Sequence, residues 1–150
     1  MRCTAAVLLF ALGCTSAAKI RQDLPRSLPP NPRIVLSLTF PDGWLTPIEE
    51  GFKAKALQKD LLRAGNPEVR VEFALVEHDP GTQGKTYQIG LRKAPARLLT
   101  KATLPGYGWF EFETIFTPEE FARDRTAILH QLGADLASKL ARLAEPYAIG

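Results

Sequence analysis

The stretch RIVLSLTFPDGWLTPIEEGFKAKALQKDLLRAGNPEVRVEFAL, residues 33–75, decides how this chain folds. Ile34, Leu36, Leu38 and Phe40 alternate with Val35, Ser37 and Thr39, the period of a half-buried strand. Pro41-Asp42-Gly43 then turns the chain. Thr46-Pro47-Ile48-Glu49 reads as a helix start: Thr46 caps, Pro47 takes the first turn and Glu49 completes a capping box. The helix is expected to run to about Ala64. Ile48, Phe52, Ala56, Leu57, Leu61 and Ala64 lie broadly on one side, and Gly65-Asn66-Pro67 stops it. Val69, Val71, Phe73 and Leu75 alternate with Arg70 and Glu72 as a second strand.

Further along, Asp79-Pro80-Gly81 is a turn signal, and Tyr87, Ile89 and Leu91 alternate as a short strand. Residues 98–104 and 109–116 read as a hairpin around Pro105-Gly106-Tyr107-Gly108. On its latter strand Phe110, Phe112, Thr114 and Phe116 share one face, and Glu111 and Glu113 take the other. Thr117-Pro118-Glu119-Glu120 opens a last helix by the same capping logic. Its buried stripe is Phe121, Ile128, Leu132, Leu136, Leu140 and Leu143, beside a small-residue row of Gly133, Ala137 and Ala141 that suits close approach to a sheet. The order β-α-β-β-β-β-α predicts an α+β fold: an antiparallel or mixed sheet of four to five strands with two helices on one face.

Upstream, Met1-Arg2 gives a short positive start and residues 5–12 (AAVLLFAL) an apolar run. That run is too short for a bilayer span, which needs ~20 residues, and fits the core of a secretory leader. Two cleavage sites compete. Ser16-Ala17-Ala18 places small residues ahead of Lys19, and Ala11-Leu12-Gly13-Cys14 ends in a cysteine able to take a diacylglycerol. A leader over 1–18, a proline-rich tether over 19–32 and a globular domain over 33–150 follow. Pro25, Pro29, Pro30 and Pro32 should keep the tether extended and out of helix or sheet, so that the stretch from Thr15 to Pro32 reaches ~55 Å at most at ~3.1 Å per residue.

Composition sets further bounds. The chain has 150 residues, 45% hydrophobic and 23% charged, with a net charge of +3, which suits one globular domain without a nucleic-acid arm. Both cysteines, Cys3 and Cys14, fall within the leader region. The folded body therefore has no thiol for a disulfide framework, a cysteine zinc site or a cysteine nucleophile. The two histidines show no metal-binding spacing, and no nucleophile elbow or phosphate-binding loop occurs, so neither catalytic residues nor a cofactor or metal are expected. His78-Asp79 is the most chemical-looking pair, but Asp79 before Pro80-Gly81 reads more simply as a turn residue. His130 reads as a helix-flank residue. Lys55, Lys59 and Arg63 follow four-residue spacing, a solvated stripe that could also meet phosphate head groups. Trp44 and Tyr107-Gly108-Trp109 follow glycine turns. If those turns share one end of the sheet, they form an aromatic patch for a partner; otherwise the indoles roof the core.

With leader, tether, two-helix α+β pattern and leucine-striped last helix in place, the chain resembles small bacterial envelope lipoproteins. In these a Pro-Gly turn (here Pro80-Gly81-Thr82) leads to a hydrophobic hairpin and a C-terminal helix. It is similar in layout to the lipopolysaccharide-assembly lipoprotein family. The resemblance implies lipid attachment at Cys14, with Thr15 next to it favouring the outer membrane. It also implies a membrane contact through that lipid and an envelope protein partner, in a non-enzymatic adaptor or assembly role. An envelope enzyme built from distant residues and a periplasmic small-ligand carrier are the alternatives, and a shared layout does not choose among them.

At ~0.8 kcal/mol per buried CH₂, two or three acyl chains would hold the domain durably at a membrane. Mass spectrometry of the mature N-terminus should find acylated Cys14; a free Lys19 terminus would contradict it and leave a soluble periplasmic form.

Overall fold

A computed structural model describes residues 21–81 and 95–145. The elements are β1 (Gln22–Asp23), β2 (Arg33–Thr39), α1 (Leu45–Gln58), β3 (Glu68–Asp79), β4 (Ala96–Leu104), β5 (Gly108–Phe116) and α2 (Pro118–Leu143). They form one five-stranded sheet in the order β1-β5-β4-β3-β2. β2 and β3, joined through α1, pair in parallel, and every other neighbour is antiparallel. The fold is thus the expected α+β type with a mixed sheet. The strand expected at Tyr87–Leu91, like Cys14, lies outside the described residues.

The alternating strands bury one face. Val69, Val71 and Phe73 of β3, Ala96, Leu98 and Ala102 of β4, and Phe110, Phe112 and Phe116 of β5 meet Ile48, Phe52 and Ala56 of α1 and Leu129, Leu132, Leu136 and Leu140 of α2. Phe73 stacks on Phe112 with ring centroids 5.8 Å apart. Thr100, buried among these residues, donates its hydroxyl to the Phe112 carbonyl at 3.2 Å, which removes the cost of an unpaired polar group there.

The helices differ from expectation in instructive ways. α2 begins as read: Thr117 accepts from the Glu120 amide at 3.0 Å, and the Glu120 carboxylate accepts from the Thr117 amide at 2.9 Å. α1 starts one residue ahead of Thr46, behind Trp44, which makes no side-chain cap. Pro47 is tolerated because amides of the first turn have no helical partner to lose. α1 also ends at Gln58, not near Ala64. Asp60 takes a left-handed φ of 60°, its amide bonds the Leu57 carbonyl, and the Leu61 amide reaches back to Ala56. That pair of bonds is a Schellman stop, built on Asp60 where glycine is usual, with Leu61 folded onto the core as its hydrophobic partner. Leu57, expected inside, is 72% exposed.

The small-residue row of α2 faces α1, not the sheet. A Cβ on Gly133 would strike the Ile48 carbonyl and come within 2.7 Å of the Phe52 nitrogen, and one on Gly51 would strike the His130 carbonyl. The two helix backbones therefore cross in contact at a reciprocal pair of glycines.

The proline-rich segment is the largest departure. It is not a free tether: Gln22 and Asp23 pair with Phe110 and Trp109, and the Arg21 carbonyl accepts from the Glu111 amide at 2.7 Å. Prolines exclude only their own positions from a ladder, and residues 21–23 precede the first of them. Residues 24–32 then strap one end of the molecule, burying Leu28 and Pro32 and packing Leu24 against the core. Gly108 makes room, since a Cβ there would strike the Asp23 carbonyl.

Leu136 is fully buried, so Leu136→Ala should destabilise the domain by about 2–5 kcal/mol in urea unfolding. Gly133→Ala, which adds a methyl against backbone, should cost at least about 1–3 kcal/mol. An unchanged midpoint in either variant would contradict this packing.

Candidate functional site

The sheet face away from the helices carries the exposed chemistry. Side chains alternate across the strands, so Glu72, Arg97, Lys101, Trp109, Glu111 and Glu113 emerge on it. Arg97 is its hub: the guanidinium bonds Glu113, reaches Glu77 at 3.2 Å and lies 3.9 Å from Asp79. Three carboxylates from the flanking strands thus share one cation. Lys101 holds its ammonium 4.6 Å from the Trp109 ring centre. Glu111 is nearly covered by the incoming chain: its Oε1 lies 3.4 Å from the Arg21 Nε without hydrogen-bond alignment.

The expected aromatic surface does not assemble as one patch. Tyr107 and Trp109 sit at the strap end, half-buried, with the Arg26 guanidinium 5.4 Å from the Tyr107 ring centre. Trp44 is 6% exposed at the distal end, packed against Phe40, His78 and Phe121. The registers explain the separation: Trp109 lies in line with Thr103 and Glu72, whereas His78, which touches Trp44, lies six residues further along β3. That is about 20 Å of strand. Trp44 roofs the core, and Tyr107 and Trp109 stay half-buried at the strap end.

His78 ends the same aromatic cluster, 5.2 Å from Phe121, and Asp79 accepts from the Gly81 amide at 3.0 Å, the turn role read from sequence. His130 is exposed beside an open hollow on α2 with Arg123, Asp124 and Arg125, next to a bend at Asp124. A second hollow, about 360 Å³ and mainly apolar, runs between Ile115 and Phe116 on the outer edge of β5 and Ala127 and Ile128 of α2. Sequence pattern alone could not show it, because it depends on β1 covering only the first part of β5. Lys139 on α2 leans its ammonium toward Phe112, 5.0 Å from the ring centre. Its pKa is lowered, first by burial and then by Arg142, with Asp135 opposing. Among the described residues no group of three or more His, Cys, Asp or Glu side chains is placed to hold a metal ion, and no helix is long and apolar enough to cross a membrane.

No protein-family model and no curated protein sequence matches the chain. Solved structures do resemble it. A variant PelC dodecamer from Paraburkholderia phytofirmans superposes with a TM-score of 0.50 at 12% identity, covering 82% of this chain and 96% of that one. A second PelC dodecamer structure from the same organism gives 0.46 at 11%, covering 80% and 96%. A minor lipoprotein from Acinetobacter baumannii gives 0.36 at 13%, covering 71% and 88%. At such identities the likeness to the first is one of fold.

Trp44→Ala should cost about 3–5 kcal/mol in urea unfolding, as for other buried large aromatics. Trp109→Ala, at a half-buried position, should cost less than Trp44→Ala in the same assay, and an equal loss would contradict this placement of the two indoles.

Proposed function

We propose that the protein is a bacterial envelope lipoprotein, anchored through acylated Cys14, that acts as a non-catalytic adaptor or assembly factor. The observation that carries this reading is the apolar leader closing on Leu12-Gly13-Cys14, seven residues before the chain enters the fold at Arg21. Thr15 behind the cysteine favours the outer membrane, with the domain in the periplasm. The neighbour of shared fold is a dodecamer. Carried over to this chain, that makes further copies of itself the first partner to seek, and the one-sided pairing of β2 leaves a strand edge for such contacts. Tyr107 and Trp109 supply the aromatic contacts that concentrate at interface centres.

A soluble periplasmic form is the second reading, favoured by Ser16-Ala17-Ala18 ahead of Lys19. In it the domain keeps the same surfaces without the anchor.

Crosslinking in intact membranes followed by mass analysis tests the role. The expected products are multiples of the mature chain or a defined adduct with an envelope protein. Monomer alone, across a range of crosslinker lengths, would contradict the assembly reading.

A further inference from the structure

We propose that the strap end of the molecule rests on an anionic phospholipid leaflet, the one that receives the Cys14 acyl chains. The proposal rests on the anchoring reading above and adds an orientation to it.

Reach comes first. Were residues 19–32 free, the domain could stand tens of ångströms away and tumble. Because Arg21 to Asp23 are fixed to β5, only the span from Cys14 to Arg21 is left to bridge acyl chain and fold. Fully extended at ~3.3–3.6 Å per residue, that span covers about 25 Å. α2 alone, 26 residues long, measures about 39 Å. The anchor is thus shorter than the body it holds, and one part of the surface must stay near the headgroups.

Charge selects which part. Both helices run toward the strap end, and their last turns carry Lys55 and Arg142. Lys59 follows at the end of α1, beside Asn31 and Pro32 of the strap and Arg142 of α2. Arg26 projects from the strap itself, bonding the Gly106 carbonyl at 3.0 Å. Lys59, Arg26 and Arg142 are exposed, and Lys55 is half-buried. The acids near them are partly taken up: Glu68 by Arg33 at 2.9 Å and Asp60 by Arg63 at 3.5 Å, while Asp23 and Glu145 dilute the field. Among the described residues the distal end leans the other way, with Asp42, Glu49, Glu50, Glu77, Asp79 and Glu120 around Trp44 and the start of α2, against Lys53 paired with Glu49, Arg97 shared by Glu77 and Asp79, and Arg123 and Arg125 in α2. A body charged in this sense, on a short leash, turns its basic end to phosphate headgroups and its acidic end away. The lysine stripe of α1 and its neighbours on the strap thereby acquire a partner of stated chemistry, the phosphodiester of an anionic glycerophospholipid.

The test uses the acylated full-length mature protein, in which the anchor leaves no free thiol. Ser27→Cys at the strap end and Asp42→Cys at the distal end, both at exposed positions, take one fluorophore each. In phosphatidylglycerol-containing vesicles with a headgroup-labelled acceptor, energy transfer should be severalfold stronger from position 27 than from 42. The excess should shrink with added salt and in a Lys55→Glu, Lys59→Glu background. Equal transfer from both positions of an acylated protein, or stronger transfer from 42, overturns the orientation while leaving the anchor standing. An unacylated N-terminus overturns both.

Discussion

The crossing of α1 over α2 at Gly51 and Gly133 is the constraint on which the rest of this fold depends. Two helices that run side by side over one face of a narrow sheet must share that face. Here the missing Cβ atoms let the His130 carbonyl lie on Gly51 and the Ile48 carbonyl on Gly133. The backbones touch, so Ile48 and Phe52 from one helix and Leu129, Leu132 and Leu136 from the other reach the same strands without leaving a seam between them. Close packing of this kind has no slack: a single methyl at either glycine has backbone, not a flexible side chain, in its way.

A helix layer confined to one face leaves the core open at its ends, and the chain closes each end with a different device. At the distal end Trp44, Phe40 and Phe121 interlock, and the first turn of α2 lays Phe121 on Phe116 with ring centroids 5.0 Å apart. At the other end the strap seats Leu28 and Pro32 under the helix termini. The same strap carries the short β1 onto β5, so closure of the core and entry of the chain into the sheet are one structural event. The uncovered sheet face keeps its charges in water, with Arg97 balancing carboxylates on both neighbouring strands. Exposed pairs of this sort contribute little to stability, and they hold that face polar.

Much of this was legible in residue order. Alternation in Ile34–Phe40, Val69–Leu75 and Phe110–Phe116 placed the strands and their buried faces, because period two admits a single assignment once a core is required. Thr117-Pro118-Glu119-Glu120 marked a helix start that formed as written. The same logic misplaced α1 at both ends: a capping-box pattern at Thr46 went unused, and an aspartate took the left-handed stop that sequence rules give to glycine at position 65. The small-residue row of α2 was seen but assigned to the sheet instead of α1, since spacing says that something approaches closely without saying what. The aromatic turns looked alike in sequence, yet parallel pairing of β2 and β3 sent them to opposite ends. The strap was hidden for a plain reason: four prolines argue against pairing at their own positions and are silent about residues 21–23.

The start of the proline-rich segment belongs to the folded body. The Glu111 amide, on the outer edge of β5, reports on this directly because its acceptor is the Arg21 carbonyl. Hydrogen exchange resolved to single residues in the full-length protein should find that amide protected to the level of the β4–β5 ladder, since it opens only with the sheet. Exchange of Glu111 at the rate of an unpaired edge amide would show that residues 21–23 are undocked and that the strap is a free tether.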